Sequence, residues 1–132
     1  MSTISYGYET TLENVSFPDA VAKVTEALKA EGFGILAEID VAGTLKKKLD
    51  VDVRPYTILG ACNPVLAHKA MQAEPHIGLL LPCNVLVQGA ENGTTVSIMD
   101  PAAMMAVTNN PKLAEVGADA EARLKRVIAA LQ

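Results

Sequence analysis

Tyr56-Thr57-Ile58-Leu59-Gly60-Ala61-Cys62-Asn63-Pro64 is the stretch that decides the fold. Residues 56–61 are apolar and β-prone, and they run directly into an Asn-Pro step. Proline denies the helical conformation to the residue before it yet fits the first helical position, so Asn63 reads as the N-cap of a helix reaching about Ala73. Leu66, Ala70 and Met71 are expected to face the core from that helix. A strand feeding straight into a capped helix makes this a chain of mixed α and β structure.

Downstream, Pro75 stops the helix, and Ile77 to Val87 reads as a strand with Pro82-Cys83 as an internal irregularity. Because Pro82 has no N–H to give a ladder, a bulge that redirects Cys83 is expected there. Asn92-Gly93 is a strong hairpin signal into Thr94 to Met99, so these two strands should pair antiparallel. Asp100-Pro101 and Asn110-Pro111 repeat the cap-then-proline pattern and open a short helix and a long terminal one. In the latter, Leu113, Val116, Ala120, Leu124, Val127 and Leu131 form an apolar stripe.

Upstream, Ile4, Tyr6 and Tyr8 alternate with Ser5, Gly7 and Glu9, the period-2 pattern of one strand over about Ser2 to Leu12. Ser16-Phe17-Pro18-Asp19 then supplies a cap, an early proline and a first-turn acid for a helix carrying Val21, Val24 and Leu28 and ending at Gly32. Phe33 to Val41 returns to strand character. Asp40 can cap a short helix through Leu49, with Val41, Leu45 and Leu49 on one face and Lys46 to Lys48 on the others.

The chain has 132 residues, half of them apolar and a fifth charged, which fits one globular domain over residues 1–132 with a real core. Its net charge of −4 argues against a broad basic surface that would neutralise phosphates, so nucleic acid is not an expected partner. Met1 to Leu12 lacks a basic start followed by an apolar stretch, and the apolar run from Ile77 is too short and too broken to span a bilayer. A cytoplasmic protein without a membrane partner is expected, and in that compartment its two cysteines should be thiols.

Those cysteines carry the only pointed chemistry, as Cys62-Asn63 and Cys83-Asn84. Cys62 sits one position before the N-cap, where free backbone N–H groups and the helix dipole favour an anion. Two thiols beside two amides could line one pocket; equally, both could be small buried hydrophobes without reactivity. If the sulfurs are close, thiol–disulfide exchange, persulfide carriage and soft-metal binding are all open, since each needs thiolates. A separation of 21 positions matches neither Cys-x-x-Cys nor a zinc pattern. His68, six positions after Cys62, is a secondary candidate that reads more simply as a packing or surface histidine, and His76 reads the same way. Gly60 could admit close approach of a ligand, although an edge-strand glycine is the simpler reading. Met99, Met104 and Met105 read as core filler, and Asp40 and Asp100 as caps.

Three ordered segments carry a family resemblance: Gly34-Ile35-Leu36-Ala37-Glu38-Ile39-Asp40, the 56–64 stretch above, and Gly78-Leu79-Leu80-Leu81-Pro82-Cys83-Asn84-Val85. From about Gly32 to Pro101 the chain resembles the "domain of unknown function 302" family. The resemblance implies an α+β fold, a curved, mostly antiparallel sheet with helices packed against it, in proteins that commonly self-associate. It implies no particular reaction, so whether the chain is an enzyme and which cofactor it takes stay open.

The expected function is a homo-oligomeric, preferably dimeric, binding module. Its site would lie at Cys62, Asn63, Cys83 and Asn84 with Gly60, and its ligand would be a small molecule, a soft metal or a metal cofactor. The alternatives are a thiol-based redox or sulfur-carrier protein using Cys62 and Cys83, and a structural interaction domain with inert cysteines.

Overall fold

A computed structural model describes residues 2–132. The chain runs β1 (Ser2–Ile4), β2 (Gly7–Glu13), α1 (Phe17–Ala30), β3 (Gly34–Asp40), α2 (Val41–Leu49), β4 (Tyr56–Cys62) and α3 (Pro64–Ala73). A 3-10 turn (Pro75–Leu80) leads to β5 (Cys83–Ala90), β6 (Gly93–Met99) and α4 (Pro101–Ala106). A second 3-10 turn (Pro111–Leu113) opens α5 (Ala114–Leu131). The strands form one six-stranded sheet in the order β1-β2-β6-β5-β4-β3, with every neighbouring pair antiparallel.

The helix starts follow the capping chemistry. Ser16 Oγ accepts from Asp19 N at 3.3 Å, Asp40 Oδ1 from Gly43 N at 2.9 Å, and Asp100 Oδ1 from Ala102 N at 3.0 Å. Each such oxygen satisfies a donor that the helix cannot satisfy internally, for about 1 kcal/mol.

Register places one row of side chains across the sheet: Tyr8 opposite Ile98, Ile98 opposite Val85, and Val85 opposite Leu59. That row, with Val87 and Val96, meets Val24 and Leu28 of α1 and Leu124, Val127 and Ile128 of α5 in the main core. Each of these side chains contributes about 1.5–3 kcal/mol by leaving water. A smaller core of Ala70, Ile77, Met105 and Leu113 lies beside it, under α3, α4 and the start of α5.

Four readings of the sequence need correction. The first strand is a hairpin, because Ser5 and Tyr6 form a turn between β1 and β2 that places Tyr6 at 62 % exposure. A period-2 pattern looks the same whether the chain continues or folds back over two residues. Ile77 is not in a strand either; it plugs the smaller core from the 3-10 turn, while β5 begins only at Cys83. Pro82 therefore precedes the strand instead of bulging it, and the irregular register lies in β3, between Ile35 and Ala37. Met71 and Leu49, assigned to apolar faces, are 55 % and 65 % exposed.

Candidate functional site

The β4-to-α3 junction folds as its sequence requires. Asn63 Oδ1 accepts the Leu66 N–H at 3.2 Å, capping α3, and the same side chain donates through Nδ2 to the Glu31 carbonyl at 3.4 Å. Arg123 of α5 donates to that carbonyl as well, at 3.1 Å, and Arg126 grips the Glu31 carboxylate with contacts of 2.8 and 3.1 Å. Gly32 has φ +85°, and a Cβ there would stand 2.9 Å from Asn63 Nδ2. The turn after α1, the start of α3 and the middle of α5 are thus tied together immediately behind Cys62.

Ala61 lies directly opposite Cys83 in the β4–β5 ladder, so their side chains share the core face, while Cys62, one position on, alternates to the other face and is a neighbour of Cys83 along the main chain. Both line one small apolar cavity of about 30 Å³, together with Asn63, Phe33, Leu66 and Met105. Room for one or two water-sized atoms is all that such a volume offers. Cys62 is half-buried and Cys83 buried. Burial pushes the Cys83 thiol up to about 11, and the neighbouring Cys62 adds to the rise. Desolvation and a nearby like charge both disfavour the thiolate of Cys83.

The other candidates lie elsewhere. Asn84 is exposed, since it alternates with the inward-facing Cys83 and Val85. Gly60 is buried in an interior strand, not at an edge; a Cβ there would come within 2.8 Å of the Pro82 ring, so its small size accommodates Pro82 and not a ligand. His68 is exposed on α3 and does not line the cavity. His76 is exposed, with its Nδ1 3.6 Å from Glu74.

Met105, read from the sequence as core filler, is buried in the smaller core and also borders the cysteine cavity. The signal was present: Pro101 and Met105 are four apart on a helix opened by Asp100-Pro101, so they share a face, and both are buried and line the cysteine cavity. Met105 also lines a larger apolar cavity of about 420 Å³ between α4 and α5. Among the described residues, no three of His, Cys, Asp and Glu are grouped to hold a metal ion, and no helix is long and apolar enough to cross a membrane.

Fold and cavity together define a small α+β domain: an open antiparallel sheet backed by helices, with Cys62 at the end of β4 and Cys83 at the start of β5 bordering one small cavity. The chain belongs to the family described as Domain of unknown function DUF302, whose model matches residues 8–131. The match extends the resemblance read over residues 32–101 to most of β2, to α1 and to the terminal helix. The chain is similar to the crystal structure of an uncharacterized conserved protein DUF302 from Bacillus stearothermophilus, with 28 % identity and a TM-score of 0.88. The likeness covers 98 % of this chain and 100 % of that one. No curated protein matches the chain.

Proposed function

We propose that this domain is a binding module that holds one soft, thiophilic centre between Cys62 and Cys83, and that it works as a homodimer. The observation that carries the reading is the shared cavity: Cys62 and Cys83, on different strands, both border a space of about 30 Å³. That volume is far below the several hundred Å³ of an ordinary small-molecule pocket, yet it suits a single ion or atom. Thiolates select soft ions, whereas structural zinc asks for four ligands and finds only two cysteines in this cavity. A reducing, cytoplasmic setting would keep both thiols available.

The test uses silver(I), a soft cation without redox chemistry under these conditions, added to the reduced protein. One ion per chain should block both thiols against a thiol reagent, and Cys62→Ser or Cys83→Ser should weaken binding by more than about 100-fold, beyond the loss typical of an outer-shell partner. Independent one-to-one reaction of each cysteine, with the single variants keeping full affinity at the remaining thiol, would overturn the reading.

Support for self-association comes from residues 34–55. Not one of these 22 residues is buried, although they form an edge strand and a helix, and Leu36, Ile39, Leu49, Val51 and Val53 are all exposed there. Twenty to thirty residues is what one side of a standard interface contributes. The segment holds four acids (Glu38, Asp40, Asp50, Asp52) and four bases (Lys46, Lys47, Lys48, Arg54), so two copies meet without net repulsion in a chain of charge −4. Light scattering should give a dimer, and Leu36→Lys with Ile39→Lys should give a folded monomer; a wild-type monomer at tens of micromolar rejects this part of the proposal.

A further inference from the structure

We infer that the cavity between α4 and α5 is a binding site for a small organic amine, whose apolar body lies between the helices and whose ammonium group donates to Glu121. The site is separate from the proposed soft-ion centre and does not depend on it. At about 420 Å³ the cavity falls in the range of small-molecule pockets, which runs from about 300 to 1,000 Å³. Spacing along the two helices explains its lining. Ala102, Met105 and Ala106 recur at i, i+3 and i+4 on α4, and Ala114, Gly117, Ala118 and Glu121 recur in the same way on α5. Most of these side chains are short, so the facing surfaces do not fill the space between the helices. Glu121 lies seven residues along α5 from Ala114, or about 10 Å, which separates a charged end of the cavity from an apolar one.

The polar groups select a cation. Glu121 is the single charged side chain among the described residues that line the cavity. Tyr8 donates its hydroxyl to Glu121 Oε2 at 3.2 Å, and Nζ of the exposed Lys125 stands 4.0 Å from the same oxygen. Among the described residues no side chain donates to Oε1, so its lone pairs serve a ligand. Asn110, which also lines the cavity, is committed elsewhere: Nδ2 donates to the Ala73 carbonyl and to Glu74, and Oδ1 accepts the Lys112 N–H. Burial, with Asp100 and Glu121 beside it, pushes the Tyr8 phenol above its ordinary value, so Tyr8 stays a donor. Two carboxylates against one exposed ammonium leave this end of the cavity negative, which attracts a cation and rejects an anion. An ammonium donating to Oε1 makes a charge-assisted hydrogen bond, about twice as strong as a neutral one.

The experiment titrates the full chain with 4-phenylbutylamine and, separately, with neutral 4-phenylbutanol, followed by calorimetry and by amide chemical shifts. The amine should bind about tenfold or more tightly than the alcohol and should shift amides of residues 102–121. Glu121→Gln keeps an acceptor for Tyr8 and should erase that preference, while the alcohol's affinity stays within about twofold of the parent's. Ala118→Phe puts a ring into the cavity from an exposed position and should abolish binding of both probes, with a cooperative urea transition showing that it folds. If that variant does not fold, the Glu121→Gln comparison decides alone. Equal affinity for amine and alcohol, a preference that survives Glu121→Gln, or full binding by folded Ala118→Phe overturns the inference. Shifts confined to other faces, or no binding of either probe at about millimolar concentration, overturn it as well. Probe binding that disappears as protein concentration rises gives the cavity to a second copy of the chain and refutes the small-molecule assignment.

Discussion

Asn63 makes two separable contacts, and two substitutions divide them. Asn63→Ala removes both the cap on Leu66 N and the bond to the Glu31 carbonyl. The cap, at 3.2 Å, is buried, and its loss costs about 1–2 kcal/mol. The contact with Glu31 is long, at 3.4 Å, and Arg123 still serves that carbonyl, so its loss adds about 0.5 kcal/mol at most. The total is about 2 kcal/mol, or roughly 6–12 °C in Tm for a domain of this size. Asn63→Asp keeps the capping oxygen and gains from the helix dipole, and Arg123 lies close enough to offset the carboxylate's approach to the Glu31 carbonyl. It should stay within about 0.5 kcal/mol of the parent. Urea unfolding at pH 7 measures both, with an unchanged m-value showing that only stability has moved. Equal losses in the two variants would show that the junction is held through the Glu31 carbonyl and not by the cap, and would refute the reasoning.

Further outcomes follow from the same contacts. Arg126 holds the Glu31 carboxyl below its ordinary value of 4.5, chiefly through their hydrogen bond, so this pair stabilises the fold above that pH and stops doing so as pH falls through the lowered value. Arg126→Gln should accordingly narrow the gap to the parent as unfolding curves are taken from pH 7 into acid, and a gap that widens in acid contradicts the assignment. Cys83→Ser leaves a hydroxyl in an apolar, buried place and should cost about 1–3 kcal/mol, more than Cys83→Ala; the reverse order in denaturant melts would show that the thiol is not sealed in hydrocarbon. Gly60→Ala drives a methyl against the Pro82 ring and should lose about 1–3 kcal/mol, whereas Gly78→Ala, where an added methyl meets nothing within 4 Å, should be neutral or stabilising; equal effects in thermal melts count against the packing account.

Elements announced by local chemistry were legible in the sequence. Ser16, Asp40, Asn63, Asp100 and Asn110 all accept a backbone N–H through their side-chain oxygens as caps, and Asn92-Gly93 joins β5 to β6. Caps and hairpin turns are decided within four residues, so no knowledge of the rest of the chain is needed. The errors arose where periodicity stood in for position. Met71 and Leu49 fit an apolar stripe, but nothing packs over either, and sequence does not state which stripe receives a neighbour. Ile77 to Leu81 is apolar enough for a strand, yet Ile77 is needed under α3, which holds the segment in a 3-10 turn.

At the candidate site, each cysteine's local setting was readable, but the cavity that both border was not. It depends on the ladder that sets Ala61 opposite Cys83, a pairing across 22 positions that follows from the whole sheet. Asn84 and Gly60 were grouped with the cysteines because they are close in sequence. In a strand, adjacent residues point to opposite faces, which turns Asn84 away from Cys83, and the space beside Gly60 is taken by the Pro82 ring. Met105 shows the converse, being remote in sequence and adjacent in the fold.

The ladder between β3 and β4 ends at Gly34 opposite Cys62. Since no residue of 34–55 is fully buried and Ile35 packs only half-buried against the main core, peeling this edge away breaks main-chain bonds but leaves most of the hydrophobic centre in place. Amide protons of 34–40 should therefore exchange with deuterium well before those of β5 and β6, through partial openings and not through global unfolding. Each such excursion uncovers the flank of Cys62, so a reagent's rate of attack on that thiol reports how often the margin of the sheet breathes.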